Sequence, residues 1–160
     1  MYITTSKNAD SQLKNIAKSI ASCLPQAEYI SRSKRPVEKI CAIAKKKAFG
    51  AVLVLMRKGT EIEALRLEKK GDGWEWNPGA LAISKVRAQK FSSQEPIIFD
   101  AKSKEAKKIA QFLGLKDSLV AKLYDECACI KVEAKKNSLK LKYEKEDILS
   151  MDYKWVEWKE

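Results

Sequence analysis

The apolar positions of this chain follow two rhythms. Leu13, Ile16, Ala17, Ile20, Ala21 and Leu24 recur at three- and four-residue spacing, which predicts an amphipathic helix over about 10–24. Asn8 or Asp10 can cap its first turn and Pro25 closes it. A second helix, opened by Pro36, has Val37, Ile40, Cys41, Ala44 and Ala48 on its buried face. A third carries Ala106, Ile109, Ala110 and Leu113 and stops at Gly114, and Asp117 to Tyr124 predicts a short fourth. Elsewhere the rhythm is that of strands: Met1 to Thr5, Glu28 to Ile30, and the β-branched run Ala51 to Met56 between Gly50 and Gly59, expected to be the central strand and buried on both faces. Turns at Lys58-Gly59-Thr60, Gly71-Asp72-Gly73 and Asn77-Pro78-Gly79 separate three further strands, Glu61 to Lys69, Trp74 to Trp76 and Ala80 to Arg87.

The polar stretch Gln89 to Glu95 reads as a linker. Beyond it come a strand at Pro96 to Asp100, the third helix, and strands at Cys127 to Glu133, Leu139 to Tyr143 and Asp152 to Trp158. Each side of the linker thus opens with an apolar strand that ends in a polar residue and leads into a helix, and Lys14 to Ile20 can be laid over Lys107 to Leu113. The expected fold is α/β with mixed sheets, one domain over 1–160 built of two similar halves, about 1–90 and 91–160. No strict repeat of a solenoid type is present.

Charge changes the picture from fold to partner. There are 32 Lys and Arg against 21 Asp and Glu, a net charge of +11, and the apolar fraction of 45% is enough for a core. Residues 1–58 hold 12 of the basic and only 3 of the acidic residues, so the positive field belongs to the N-terminal third. Such a surface suits a polyanion, nucleic acid foremost. A membrane partner is not expected, because the helices spend their apolar residues on core stripes and the longest apolar run, Ala48 to Met56, is far too short to span a bilayer. Met1 to Thr5 lacks the pattern of an export signal, so the expected location is the cytoplasm.

Catalytic chemistry is thinly provided. The absence of His removes Ser-His and Cys-His nucleophile pairs and most zinc enzymes. No nucleotide- or phosphate-loop motif is present, and no convincing carboxylate pair. No catalytic residue, metal, cofactor or small-molecule substrate is therefore expected. Cys23, Cys41, Cys127 and Cys129 read as reduced structural thiols, with a Cys23–Cys41 disulfide left open, and Glu144, Glu146 and Asp147 as a solvated turn.

The candidate chemistry lies near the start. Thr4, Thr5, Ser6 and Lys7 sit at a strand-to-helix turn, where short hydroxyls, backbone N–H groups and a cation can hold a phosphate. Lys14 and Lys18 project from the polar side of the first helix, and Arg32, Lys34 and Arg35 come directly after the short second strand. Together they are the expected RNA-binding surface, while Trp74 and Trp76, alternating in a strand, read first as core residues with base stacking as the second reading.

The order and spacing of Ile3-Thr4-Thr5-Ser6-Lys7, the basic helix, Arg32, the Val52 to Leu55 strand and Pro96 to Asp100 before a helix resemble the Brix domain family, over most of the chain and in its compact archaeal form. The resemblance implies two halves, each similar to the anticodon-binding domain of class II aminoacyl-tRNA synthetases. It also implies a role in ribosome biogenesis through precursor ribosomal RNA, with guide RNA or other assembly proteins as further partners. Thr4, Thr5, Ser6, Lys7 and Arg32 match the family pattern. Two places depart from it: Arg32-Ser33 stands where the family has Arg-Gly, and Trp74 to Gly79 replaces a Gly-Pro stretch. Two other readings remain, a module for an acidic protein partner and a tRNA-binding accessory domain.

Overall fold

The computed structural model describes residues 1–117, 123 and 126–157. In chain order the elements are β1 (Tyr2–Thr5), α1 (Ser11–Cys23), β2 (Glu28–Tyr29), α2 (Val37–Lys46), β3 (Ala51–Lys58), β4 (Glu61–Lys70), β5 (Gly73–Ala88), β6 (Ile97–Asp100), α3 (Lys104–Phe112), β7 (Ala128–Lys135), β8 (Ser138–Tyr143) and β9 (Glu146–Glu157). The nine strands form one mixed sheet in the order β2-β1-β3-β4-β5-β9-β8-β7-β6. Short β1 is parallel to both β2 and β3, and β4 and β5 continue antiparallel. From the other edge, β6 is parallel to β7, and β8 and β9 continue antiparallel to meet β5. The pairing senses of β1-β3-β4-β5 and β6-β7-β8-β9 are therefore the same.

Period-two alternation along the strands divides the core into two clusters, one on each face. On the inner face Ile3, Leu53, Leu55, Leu81, Ile130, Leu141, Leu149 and Tyr153 pack with Leu13, Ala17 and Ile20 of α1 and Ala106, Ile109 and Phe112 of α3. On the outer face Tyr2, Val52, Val54, Leu65, Leu67 and Ala80 pack under Ile40, Cys41 and Ala44 of α2. β3 is buried on both faces for this reason, yet it is third from an edge. The middle of the sheet is β5, so the expected central strand is corrected. Arg66 of β4, only 7% exposed, ties the sheet to α3: its Nη1 donates to the Phe112 carbonyl and its Nε to Glu68 Oε1 at 2.6 Å. A guanidinium that caps a helix C-terminal carbonyl and keeps its own carboxylate offsets the cost of its burial.

Other expectations are corrected by long-range pairing. Asn77-Pro78-Gly79 is not a turn between two strands, because β5 runs through it, with a register shift opposite Leu65 and Leu67. Pro78 is tolerated where the ladder is irregular, since it has no N–H to offer. Ala48 lies outside α2, exposed and at φ +60°. Glu146 and Asp147 begin β9, and Asp147 pairs with Lys140 at 3.0 Å. Cys23 and Cys41 belong to helices on opposite faces of the sheet, and all four cysteines are free thiols. Burial pushes Cys23 up to about 12 and Cys41 up to about 11, which keeps both protonated and unreactive. The expected helix from Asp117 to Tyr124 and the residue Trp158 lie outside the described residues, apart from Asp117 and Leu123. Asp117 itself caps one position on the open edge of β6, accepting the outward amide of Phe99 at 2.8 Å. Among the described residues no helix is long and apolar enough to cross a membrane.

Candidate nucleic-acid interface

Because β1, β2 and β3 are parallel, their C-terminal ends share one edge of the sheet, where α1 and α2 also begin. In open α/β sheets this is the edge at which loops are free to hold ligands. Ser6 comes directly after β1 and stays in line with β3 through its N–H, which donates to the Leu55 carbonyl at 2.8 Å. Lys7 projects from the same turn, exposed. Arg32, Lys34 and Arg35 form the loop between β2 and α2, folded on itself by Arg32 Nε donating to the Arg35 carbonyl at 3.1 Å and Arg35 Nη1 donating to the Ser31 carbonyl at 3.3 Å. Both guanidiniums keep further donors for a ligand. Ser33 at the tip takes φ +50°, the left-handed region that glycine enters without a Cβ penalty. The departure from Arg-Gly thus retains a glycine backbone shape under a serine.

Lys14 stands on the opening turns of α1 above this edge, and Lys18, one turn further along, reaches back over the Tyr29 ring of β2 at 5.7 Å. Lys7, Lys14, Lys18, Arg32, Lys34 and Arg35 make no ion pair with a described residue, whereas Lys47, Lys58, Lys70, Lys140 and Lys142 are each neutralised by a carboxylate. The edge therefore keeps its positive field in the places where a phosphate would approach.

Two of the expected contact residues are elsewhere. Thr4 and Thr5 are 0% and 1% exposed, inside a strand sandwiched between α1 and α2. The Thr4 hydroxyl donates to the Ile30 carbonyl at 2.8 Å, fastening the start of the basic loop to β1. Both threonines hold the loop and turn in position; neither side chain is presented to a ligand.

One residue belongs to the edge although its sequence context hid it. Arg57 is the penultimate residue of the apolar strand β3 and lies in the inner register, so its side chain meets the N-terminus of α1, where Nε donates to Asp10 Oδ2 at 3.0 Å and Nη2 to Gln12 Oε1 at 3.0 Å. Asp10 caps α1 with its other oxygen, accepting the Leu13 N–H at 2.7 Å, and that bond together with Arg57 holds its carboxyl below the ordinary value. A cation next to a capped helix start adds to the positive end of the helix dipole. The tryptophans divide: Trp74 packs half-buried against the outer cluster, and Trp76 on the same face is 41% exposed. Tyr153 and Trp155 belong to the inner core.

No family model matches the sequence, and no curated protein is similar to it at a significant level. Solved structures are similar over the whole chain. A probable ribosomal biogenesis protein from Aeropyrum pernix K1 superposes with a TM-score of 0.73 at 10% identity, covering 99% of this chain and 96% of that one. Mil, an archaeal Imp4-like protein, superposes with a TM-score of 0.67 at 12% identity, covering 98% and 99%. The fold of this chain is thus similar to that of these two proteins over nearly the whole length of each.

Proposed function

We propose that this protein is a non-catalytic ribosome-assembly factor of the Brix type, which holds precursor ribosomal RNA on the edge formed by the C-terminal ends of β1, β2 and β3. The observation that carries the RNA reading is the convergence of Lys7, Lys14, Lys18, Arg32, Lys34 and Arg35, all without a carboxylate partner among the described residues, at two helix starts. The role in ribosome biogenesis is supported by the end-to-end fold likeness to a probable ribosomal biogenesis protein. The repeated order of pairing senses around the β5–β9 junction supports descent from two similar halves.

Lysine and arginine neutralise phosphates and release their counterions, so binding energy comes from many weak contacts. Factors of this kind keep RNA in one arrangement by occupying its backbone, and need no reacting group. Precursor ribosomal RNA in the cytoplasm is the expected partner, with guide RNA or assembly proteins alongside.

The test is crosslinking in native cell extract with sequencing of the bound RNA, using a Lys14→Glu, Lys18→Glu, Arg32→Glu triple variant as control. Discrete peaks in precursor ribosomal RNA that vanish in the variant are the expected result. Peaks confined to tRNA, or none above the variant, would overturn the proposal in favour of a tRNA-binding or acidic-partner role.

A further inference from the structure

The opposite end of the sheet holds a groove with its own chemistry. It occupies about 580 Å³ between the start of β3 and the end of β4 on one side and α3 with the chain beyond it on the other. Phe99, Ala110 and Leu115 supply apolar surface, and Arg66, Lys69, Lys107 and Lys116 supply cations.

The two carboxylates in its wall are already engaged, Glu68 by Arg66 Nε at 2.6 Å and Asp117 by the Phe99 amide at 2.8 Å. The three lysines are exposed and have no ion pair with a described residue. Four cations against two anions leave the groove positive. The negative end of α3 does not offset this, because Arg66 caps that helix through the Phe112 carbonyl. The Met1 amino group registers the same field: burial first, then Arg66 and Lys116, push it down to about 6.

We propose that this groove is a second RNA contact, for a single-stranded segment whose phosphates lie on Lys69, Lys107 and Lys116 and whose base rests on the Phe99 side. The proposal rests on the RNA reading above and extends it. A groove with apolar surface below and cations along its rim suits an unpaired strand, which offers base faces and phosphates together; a duplex keeps its base faces stacked inside. The groove lies one strand length from the basic edge, because Gly50 precedes β3 and Arg57 nearly ends it. At the usual rise of a strand that is about 23 Å. One RNA touching both ends would therefore be held at two separated points.

The experiment compares three proteins, unaltered, Lys69→Glu/Lys107→Glu/Lys116→Glu, and Lys14→Glu/Lys18→Glu/Arg32→Glu, binding a labelled single-stranded oligoribonucleotide across a salt series. The groove variant is expected to bind roughly tenfold or more weakly, with a log–log salt slope shallower by about 2, the value for three lost phosphate contacts on a single strand. A groove variant that binds like the unaltered protein while the edge variant loses binding would overturn the groove and leave the RNA reading standing. An unaltered protein that binds no RNA would overturn both. A groove variant that loses binding to polyglutamate and not to RNA would also overturn the groove, in favour of an acidic protein. Thermal melts accompany each variant, and the matching Lys→Gln triple, which adds no repulsion, is expected to show a smaller loss in the same direction.

Discussion

Two edges of the molecule are built on one plan and end in different chemistry. At the C-terminal ends of β1 and β3, the adjoining helix α1 is capped by Asp10, which accepts the Leu13 N–H. At the C-terminal ends of β6 and β7, the adjoining helix α3 is capped by Ser103, which accepts the Ala106 N–H at 3.0 Å. Both helices lie on the inner face and both strand pairs are parallel. On the first edge, α1 has no acidic residue in its first turn, the capping Asp10 is neutralised by Arg57, and Lys7, Lys14 and Lys18, without an ion pair among the described residues, set the field. On the second, Glu105 occupies the first turn of α3, Asp100 lies 3.7 Å from Lys102, and Glu133 binds Lys142 at 3.0 Å.

Glu105 is also locked in place. It accepts Trp155 Nε1 at 2.7 Å and lies 2.8 Å from the Tyr153 hydroxyl, which is 2.9 Å from the Lys135 carbonyl. Lys108 covers the Trp155 ring at 3.9 Å and Phe112 meets it edge-on at 5.5 Å. A carboxylate held by two aromatic donors fills the place at a helix start that an incoming anion would take. The same plan thus yields, among the described residues, a helix start beside free cations once and a helix start filled by a locked carboxylate once. The two helix starts differ in which charges the chain leaves uncompensated, and the shared frame does not decide it.

The strongest way to break this comparison is the Lys14→Glu, Lys18→Glu, Arg32→Glu variant. Its RNA affinity should fall roughly 100-fold or more at moderate salt, with the melting temperature nearly unchanged, because all three side chains reach solvent. Reversing Lys102, Lys104 and Lys135 on the second edge should change affinity less than about threefold in the same assay, since long-range attraction alone is lost. An equal loss from both variants would show that net charge, and not the edge, does the binding.

Glu105→Ala should destabilise the fold by about 2–3 kcal/mol in denaturant unfolding, the loss of two hydrogen bonds to a charged acceptor. The Trp155 and Tyr153 donors hold the Glu105 carboxyl below its ordinary 4.5. A depressed folded value means that the stabilisation is complete above about pH 4.5 and drains as the pH falls through the lower folded value, so the gap between parent and variant should narrow on acidification. RNA binding near neutrality should be unaffected.

Asp10→Ala should cost about 1 kcal/mol through the lost cap, while releasing Arg57 to strengthen RNA binding slightly. Ser33→Gly should be the mildest change and of opposite sign, stabilising by roughly 0.5–1 kcal/mol because the loop already holds φ +50°. A destabilised Ser33→Gly protein would mean that the serine side chain, near Ser31 Oγ at 3.4 Å, contributes more than the backbone shape costs.

The elements legible in the sequence are those with local causes. The stripe Leu13, Ala17 and Ile20 buries α1, and Ala51 to Leu55 forms a strand whose two faces are both covered. The hidden features depend on partners far along the chain. β5 continues through Pro78 because β9, at the other end of the chain, pairs with it from Gly79 onward, and no local signal announces that. Thr4 and Thr5 look like surface hydroxyls because they are polar, and they are buried because α1 and α2 cover β1 from both faces. Arg57 is concealed by the apolar run before it, and Glu105 by donors 48 and 50 residues away. Lys7, Lys14, Lys18, Arg32, Lys34 and Arg35 stand out in the sequence as surface candidates because solvated charge needs no partner to be recognised.

One small contact at the far border of the sheet bears on how the protein lives at high concentration. β6 is the outermost strand, and its neighbour side is filled by β7. By taking the Phe99 amide, Asp117 puts a fixed negative charge where the carbonyl of an added strand would have to dock. A strand added at that position would meet a charged carboxylate in place of a free amide, so this side chain disfavours sheet growth from molecule to molecule along β6.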